Sequence, residues 1–206
     1  MSRMPGRPPS AVRRGAWRAA RYISLDFEAT GLDFDRDRII SFGVVPVDDG
    51  RIEVGRSMYE LVDPGDVEMS PEAVTVHGLR PVDVRGTNEA DAARRALDDA
   101  LAGRYLIAWY AIVEAMFLAK LFGTKARPWL KRCIDVRVLV ARLLGANAAR
   151  MTLEQAAEWF GVPVASPHHA LDDALVTAQL FLVTTAKLEA DGVRTVRDLL
   201  RAGATR

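Results

Sequence analysis

The chain has 206 residues, 50% of them hydrophobic and 27% charged, which suits one compact domain with a substantial core. No apolar run reaches the roughly 20 residues that cross a bilayer, and the N-terminus lacks the apolar centre of a secretory signal, so an intracellular, cytoplasmic protein without membrane contact is expected. The net charge of +1 is uneven: residues 1–21 hold six arginines and no acid, and the remainder carries 22 basic against 27 acidic residues, a net −5.

Residues 1–20, with Pro5, Gly6, Pro8 and Pro9, read as a basic, disordered tail able to touch a nucleic-acid backbone, as an Arg-rich, acid-poor organellar targeting sequence, or as a solvated leader. The first strand follows, Tyr22-Ile23-Ser24-Leu25-Asp26-Phe27-Glu28, ended by a turn at Ala29-Thr30-Gly31-Leu32. Successive strand side chains alternate between faces, so Asp26 and Glu28 share one face while Ile23, Leu25 and Phe27 cover the other. Two anions so close favour a divalent cation. An amphipathic strand whose polar face, Tyr22 and Ser24 included, meets water would show the same pattern.

Arg38 to Val47 and Arg51 to Val62 give two further apolar runs, joined by the hairpin signal Asp48-Asp49-Gly50. Glu89 to Leu101 has helical periodicity, Tyr105 to Trp109 reads as a buried strand, and Ile112 to Phe122 as a helix. Cys133 is the only cysteine, which excludes an intramolecular disulfide and a thiolate cluster. Ile134 to Leu144 reads as helix, making Cys133 a small buried thiol. Thr152, with Glu154 and Gln155 after it, caps a helix ended at Gly161. A last long helix begins near Ala170, with Leu171, Ala174, Leu175, Ala178 and Leu182 as its apolar stripe. Strands first, then helices around a further strand, indicate an α/β fold with a mixed sheet flanked by helices. A short amphipathic segment, Val193 to Leu200, packs on the domain or serves a partner.

The segment Ser166-Pro167-His168-His169-Ala170-Leu171-Asp172-Asp173-Ala174 carries the second half of a site. Pro167 keeps its predecessor extended, which puts His168 in a loop and Asp173 in the first turn of the following helix. Taken singly, these are a surface histidine and a dipole-favoured acid. With Asp26 and Glu28 they form a set suited to metal-assisted hydrolysis.

Here the sequence resembles the DEDDh exonucleases, the family of the proofreading subunits of bacterial DNA polymerase III and of ribonuclease T. Leu25-Asp26-Phe27-Glu28-Ala29-Thr30-Gly31-Leu32 is similar to the family's D-x-E-x-T-G-L, and His168-His169-Ala170-Leu171-Asp172-Asp173-Ala174 to its H-x-A-L-x-D-A. Val76-His77-Gly78-Leu79 and Ile134-Asp135 are smaller matches. The resemblance covers roughly residues 21–182 and implies a ribonuclease-H-like mixed five-stranded sheet, with an exonuclease domain over 21–188 and a C-terminal helical extension over 189–206. It also implies that Asp26, Glu28 and Asp173 bind a pair of Mg²⁺ or Mn²⁺ ions, with His168 as general base and His169 at the variable position. Ala29, Thr30, Leu32 and His77 would border the terminal nucleotide at the 3′ end of a single strand, in the setting of a DNA polymerase or replication complex.

One motif departs. Where the family has H-N-x-x-F-D, this chain reads Trp109-Tyr110-Ala111-Ile112-Val113-Glu114. Glu114 keeps a carboxylate in place of the fourth Asp, one methylene longer, or is a solvated helix residue. Trp109 or Tyr110 can stack on a base in place of the lost Phe, or fill the core. Lys125 to Arg132 mixes four cations with Trp129 and suits either a phosphate backbone or a surface loop. The expected activity is metal-dependent 3′–5′ exonuclease action on single-stranded DNA or RNA. The alternatives are a degenerate relative that binds nucleic acid or a replication partner without cleaving, and a phosphohydrolase acting on nucleotides.

Overall fold

A computed structural model describes residues 4–6, 8 and 10–205. In chain order the elements are β1 (Arg21–Ala29), β2 (Ile39–Asp48), β3 (Arg51–Ile52), β4 (Met58–Leu61), α1 (Pro71–His77), α2 (Pro81–Val84), α3 (Ala90–Leu101), β5 (Tyr105–Ala108), α4 (Ala111–Leu121), α5 (Ala126–Leu130), β6 (Cys133–Asp135), α6 (Val136–Leu144), α7 (Leu153–Phe160), α8 (Ala170–Leu188) and α9 (Val196–Ala202). The sheet order is β3-β2-β1-β5-β6, with β4 also on β2. β2 runs antiparallel to β1, β3 and β4, whereas β1, β5 and β6 are parallel.

The four strands placed along the sequence are present, the third divided into β3 and β4, and β6 joins them, so the sheet has six strands among the described residues where five were expected. β3 and β4 lie along one edge of β2, and a short 3-10 helix, Val54–Arg56, separates them. The hairpin signal acts as its residues require: Asp49 and Gly50 both take positive φ, 51° and 69°, the twist that matches a two-residue connection. Two other segments differ from expectation. Ile134 and Asp135 belong to the buried strand β6 and α6 begins at Val136, because Asp135 turns from strand to cap and its carboxylate accepts from Val138 N at 3.2 Å. Residues 71–84, which carry no expected element, form α1 and α2. Ser70 caps α1 from its hydroxyl, Pro71 occupies its first position, and Gly78 closes it at φ 72°.

Apolar side chains fill both faces of the sheet. Ile23, Leu25 and Phe27 of β1 meet α3 and α4 on one face, while Tyr22 packs under α8 on the other. Tyr22 and Ser24 are therefore buried, not solvated, because α8 covers the face that carries the two acids. Of the expected α8 stripe, Ala174 and Ala178 are buried and Leu171, Leu175 and Leu182 are packed at its margin.

The basic leader is ordered in its second half, contrary to expectation. Ser10–Arg14 and Trp17–Ala19 are 3-10 helices, and Trp17 is buried edge-on against Phe181 at 6.0 Å between ring centroids. Its indole donates to Glu189 at 2.6 Å, and its backbone N–H donates to Arg194 O at 3.0 Å. A buried indole with a satisfied N–H outweighs the proline-rich composition. The parts of that expectation resting on residues 1–3, 7 and 9, and Arg206 of the extension, lie outside the described residues. α9 packs on β6 and the N-terminal 3-10 helix, so its apolar face is used within the domain. Among the described residues, no helix is long and apolar enough to cross a membrane.

Candidate active site

Asp26 and Glu28 leave β1 on the face beneath α8, and Asp173 comes down from the first turn of that helix. One oxygen from each of the three lies within 4.8 Å of the others. Gly43, paired with Asp26 across the β1–β2 ladder, makes that approach possible. A Cβ built on Gly43 would stand 2.3 Å from the Ala170 carbonyl group and from Leu171 N, so only a residue without a side chain lets the start of α8 rest on the sheet.

Glu114 joins them from the first turn of α4. It is 4% exposed, and its Oε2 and Asp173 Oδ1 are buried without a hydrogen bond. Glu114 is thus buried at the wall of the same cleft and is not a solvated helix residue. Burial raises Asp26 well above the usual carboxylate range, and the charges of Glu114, Glu28 and Asp173 act in the same direction. Burial, then Asp173, pushes Glu28 up to about 8. Burial, then Asp135 and Glu28, raises Glu114, and burial raises Asp173 to about 6 despite the His168 N–H that it accepts.

Four carboxylates that repel one another and keep unused buried oxygens match what hard divalent cations need: oxygen donors carrying net negative charge. The residues present fit such an ion: Asp26, Glu28 and Asp173 could hold it, and Glu114 lines the same cleft.

His168 stands at the mouth. Its φ of 60° is unusual for a residue with a side chain and turns its backbone N–H onto Asp173 Oδ2 at 3.1 Å. Its imidazole is about half exposed, with Nε2 3.8 Å from Glu154 Oε1. His169 points elsewhere, stacked on Tyr59 at 4.3 Å, so packing separates the roles of the two adjacent histidines. Glu154 is a site neighbour that the sequence pattern does not reveal. Its position in the first turn of a capped helix gave no signal, and only the fold sets α7 beside His168.

The cleft has a volume of about 600 Å³ and is lined by the four carboxylates, His168, Glu154, Arg150, Leu32, Trp109 and Tyr110, among others. Leu32 projects into it, 73% exposed. Trp109 is largely buried, whereas Tyr110 is exposed with the Arg137 guanidinium over its ring at 3.8 Å. Of the four residues expected to border a nucleotide, Leu32 lines the cleft, and His77 sits near Ala29 and His168. Thr30 is fully buried and works within the loop: its hydroxyl donates to Asp37 at 2.7 Å and accepts from Arg38 N at 3.1 Å. Lys120 Nζ holds the same loop through the carbonyls of Phe34, Asp35 and Asp37. Together they set the base from which Leu32 projects. His77 Nδ1 accepts from Leu79 N at 3.0 Å; burial holds the imidazole below its ordinary value, and His168 nearby adds to that. Trp129 is buried and donates to Thr124, which removes the indole of Lys125–Arg132 from any surface contact.

Residues 23–181 match the exonuclease family of the ribonuclease T type. Over 191 residues the chain is 28% identical to a PolC-type DNA polymerase III from Thermotoga petrophila, covering 87% of this chain and 13% of the relative. It is 26% identical over 168 residues to the PolC-type enzyme of Clostridium perfringens, covering 82% of this chain and 11% of that protein. The chain thus spans about an eighth of the length of the curated relatives it matches. Its fold is similar to E. coli exonuclease I in complex with a dT13 oligonucleotide, with a TM-score of 0.72 and 14% identity over 84% of this chain and 42% of that one. It is also similar to the nuclease domain of 3′hExo, a DEDDh family member bound to rAMP, with a TM-score of 0.69 and 19% identity over 86% and 96% of the two chains. The match over more than half of the chain, on a sheet that assembles its motifs into one acidic cleft, makes this protein a member of the DnaQ-like exonuclease family.

Proposed function

We propose that this chain removes nucleotides from the 3′ end of single-stranded DNA or RNA by metal-dependent hydrolysis, using two Mg²⁺ or Mn²⁺ ions. The observation that carries the reading is the convergence of Asp26, Glu28 and Asp173 within 4.8 Å, with His168 at the edge of the group and Glu114 lining the same cleft. Bound divalent cations would supply charge neutralisation at the phosphate and at the attacking and leaving oxygens.

The chain's own residues do the rest. His168 is exposed to the cleft and tethered through its N–H to Asp173, so its Nε2 can take the proton of a water attacking beside the carboxylates. Glu154 faces that nitrogen and favours the imidazolium formed when the proton arrives. Leu32 offers an apolar surface to the terminal base, Tyr110 a stacking surface, and Arg150 a cation for a phosphate. The names of the PolC-type relatives support a replicative polymerase setting for the activity.

The test is digestion of 5′-labelled single-stranded DNA and RNA with manganese or with chelator, beside Asp26→Ala. A metal-dependent ladder shortening from the 3′ end, lost in the variant, is the expected result; intact substrate in every lane would overturn the reading. The second reading, binding without cleavage, draws on Glu114 and on the Arg137 guanidinium that already covers one face of Tyr110. It requires wild-type binding with no turnover and recovery of cleavage in Glu114→Asp.

A further inference from the structure

A second groove, of about 550 Å³, lies beside the edge strand β6, between α5, α9 and the N-terminal 3-10 helix. Five cations line it, Arg13, Arg127, Lys131, Arg197 and Arg201, and no carboxylate does. All five are exposed. Among the described residues, Arg13, Arg127, Lys131 and Arg197 make no ion pair. Arg201 acts on Asp198, whose carboxylate is already engaged in capping α9 through Thr195.

Three separate parts of the chain have to meet to build this surface. α9 buries Val196, Leu199 and Leu200, and its four-residue spacing then puts Arg197 and Arg201 on one outward face, an arrangement that is repulsive in isolation. The buried Trp17 anchors the leader that carries Arg13. α5 buries Trp129 and leaves Arg127 and Lys131 outside. A chain with an excess of acid beyond residue 21 therefore gathers unpaired positive charge along one edge.

The cleft that holds the carboxylates has the opposite field. Arg150 is the one guanidinium in its lining, against Asp26, Glu28, Glu114, Glu154 and Asp173. Without bound divalent cations, most of the affinity for a polyanion has to come from basic side chains elsewhere, since phosphate contacts and counterion release dominate such binding. The two sites are also joined. Thr205, at one end of the groove, donates to Asp135 at 3.0 Å, and Asp135 accepts from Ala111 N at 3.4 Å, the first residue of the helix that carries Glu114.

We propose that the groove formed by Arg13, Arg127, Lys131, Arg197 and Arg201 binds the phosphodiester backbone of a single-stranded nucleic acid away from its reacting end. This rests on the reading that the chain acts on nucleic acid, and it names a region of affinity outside the carboxylate cleft.

The experiment is fluorescence anisotropy of the full chain with a labelled oligothymidylate of about 20 nucleotides, in EDTA so that no turnover is needed, across a salt series. Arg127→Glu with Lys131→Glu is one variant and Arg197→Glu with Arg201→Glu a second; Arg95→Glu, exposed on α3, is the charge control. The corresponding Gln variants serve if a Glu pair disturbs the fold. Each groove pair is expected to weaken binding by about 10-fold or more, and to flatten the salt dependence by roughly 0.7 for each phosphate that the groove ceases to neutralise. The control is expected to bind as the wild type does. Wild-type affinity and salt slope in both groove pairs would overturn the proposal. Cleavage by the wild type of a p-nitrophenyl ester of thymidine 5′-monophosphate, with manganese, reads the carboxylate site separately and so distinguishes failure of the hydrolytic reading from failure of the groove.

Discussion

Gly43 and Asp26 face each other across the β1–β2 ladder, and the backbone of Ala170 occupies the place where a Gly43 side chain would be. The spacing between the strand acids and Asp173 therefore depends on a residue that contributes no chemistry. Gly43→Ala is expected to lift the start of α8, costing about 1–3 kcal/mol of stability through overpacking. Displacing Asp173 by about an ångström is expected to lower turnover by roughly 10²-fold. Thermal unfolding and single-turnover kinetics on one preparation check both, and full activity would show that α8 adjusts without moving its acid.

Glu114 sets stability against function. Its Oε2 is buried and unpaired beside other acids, so Glu114→Gln is expected to stabilise the metal-free protein by about 1 kcal/mol while reducing turnover. Glu114→Asp is expected to retain more activity than Glu114→Ala. Equal rates for the wild type and Glu114→Ala would remove this residue from the site.

The carboxylate cluster fixes the sign of a pH effect. Glu28 rises from 4.5 to about 8 on folding and Asp173 from 3.8 to about 6, so without metal the folded chain binds more protons than the unfolded chain between those limits. The stability these groups contribute is complete below their unfolded values and is lost as pH rises through their folded ones. In EDTA the Tm is expected to fall between pH 5 and pH 9. Added Mn²⁺ is expected to raise it most at the alkaline end, because the ligands must lose their protons to bind. Differential scanning calorimetry at several pH values decides this, and a Tm that climbs with pH in EDTA would contradict it.

His168 is tied to catalysis through proton transfer, not through holding the ion. His168→Ala is expected to cut kcat by about 10²–10⁴-fold, the usual contribution of a general base, while calorimetric titration with Mn²⁺ stays close to wild type. Loss of ion binding instead would make it a ligand.

Trp17 couples the leader to the fold. Its ring meets Phe181, its indole N–H meets Glu189, and the Tyr22 hydroxyl donates to its carbonyl at 2.8 Å. Trp17→Ala is expected to cost about 3–5 kcal/mol, which denaturant unfolding would measure. A change within a few tenths of a kcal/mol would return the leader to a solvated tail.

Local patterns were enough to read most of this protein from its sequence. Alternation put Asp26 and Glu28 on one face, Asp49-Gly50 closed a hairpin, and Thr152 and Gly161 bounded α7, because each depends on dihedral preferences and side-chain directions within a few residues, whereas the pairing of His168 with Asp173 came from the family resemblance. Contacts between distant segments were not legible. That Tyr22 and Ser24 are buried, that Gly43 admits α8, that Glu154 faces His168 and that Trp17 pins the leader all follow from which surfaces the sheet brings together. The sequence therefore determined the strand acids Asp26 and Glu28 and the local elements that carry the candidate site. Tertiary packing decided how close they stand and how strongly burial raises their pKa values, since close packing and desolvation act on neighbours in space, whatever their separation along the chain.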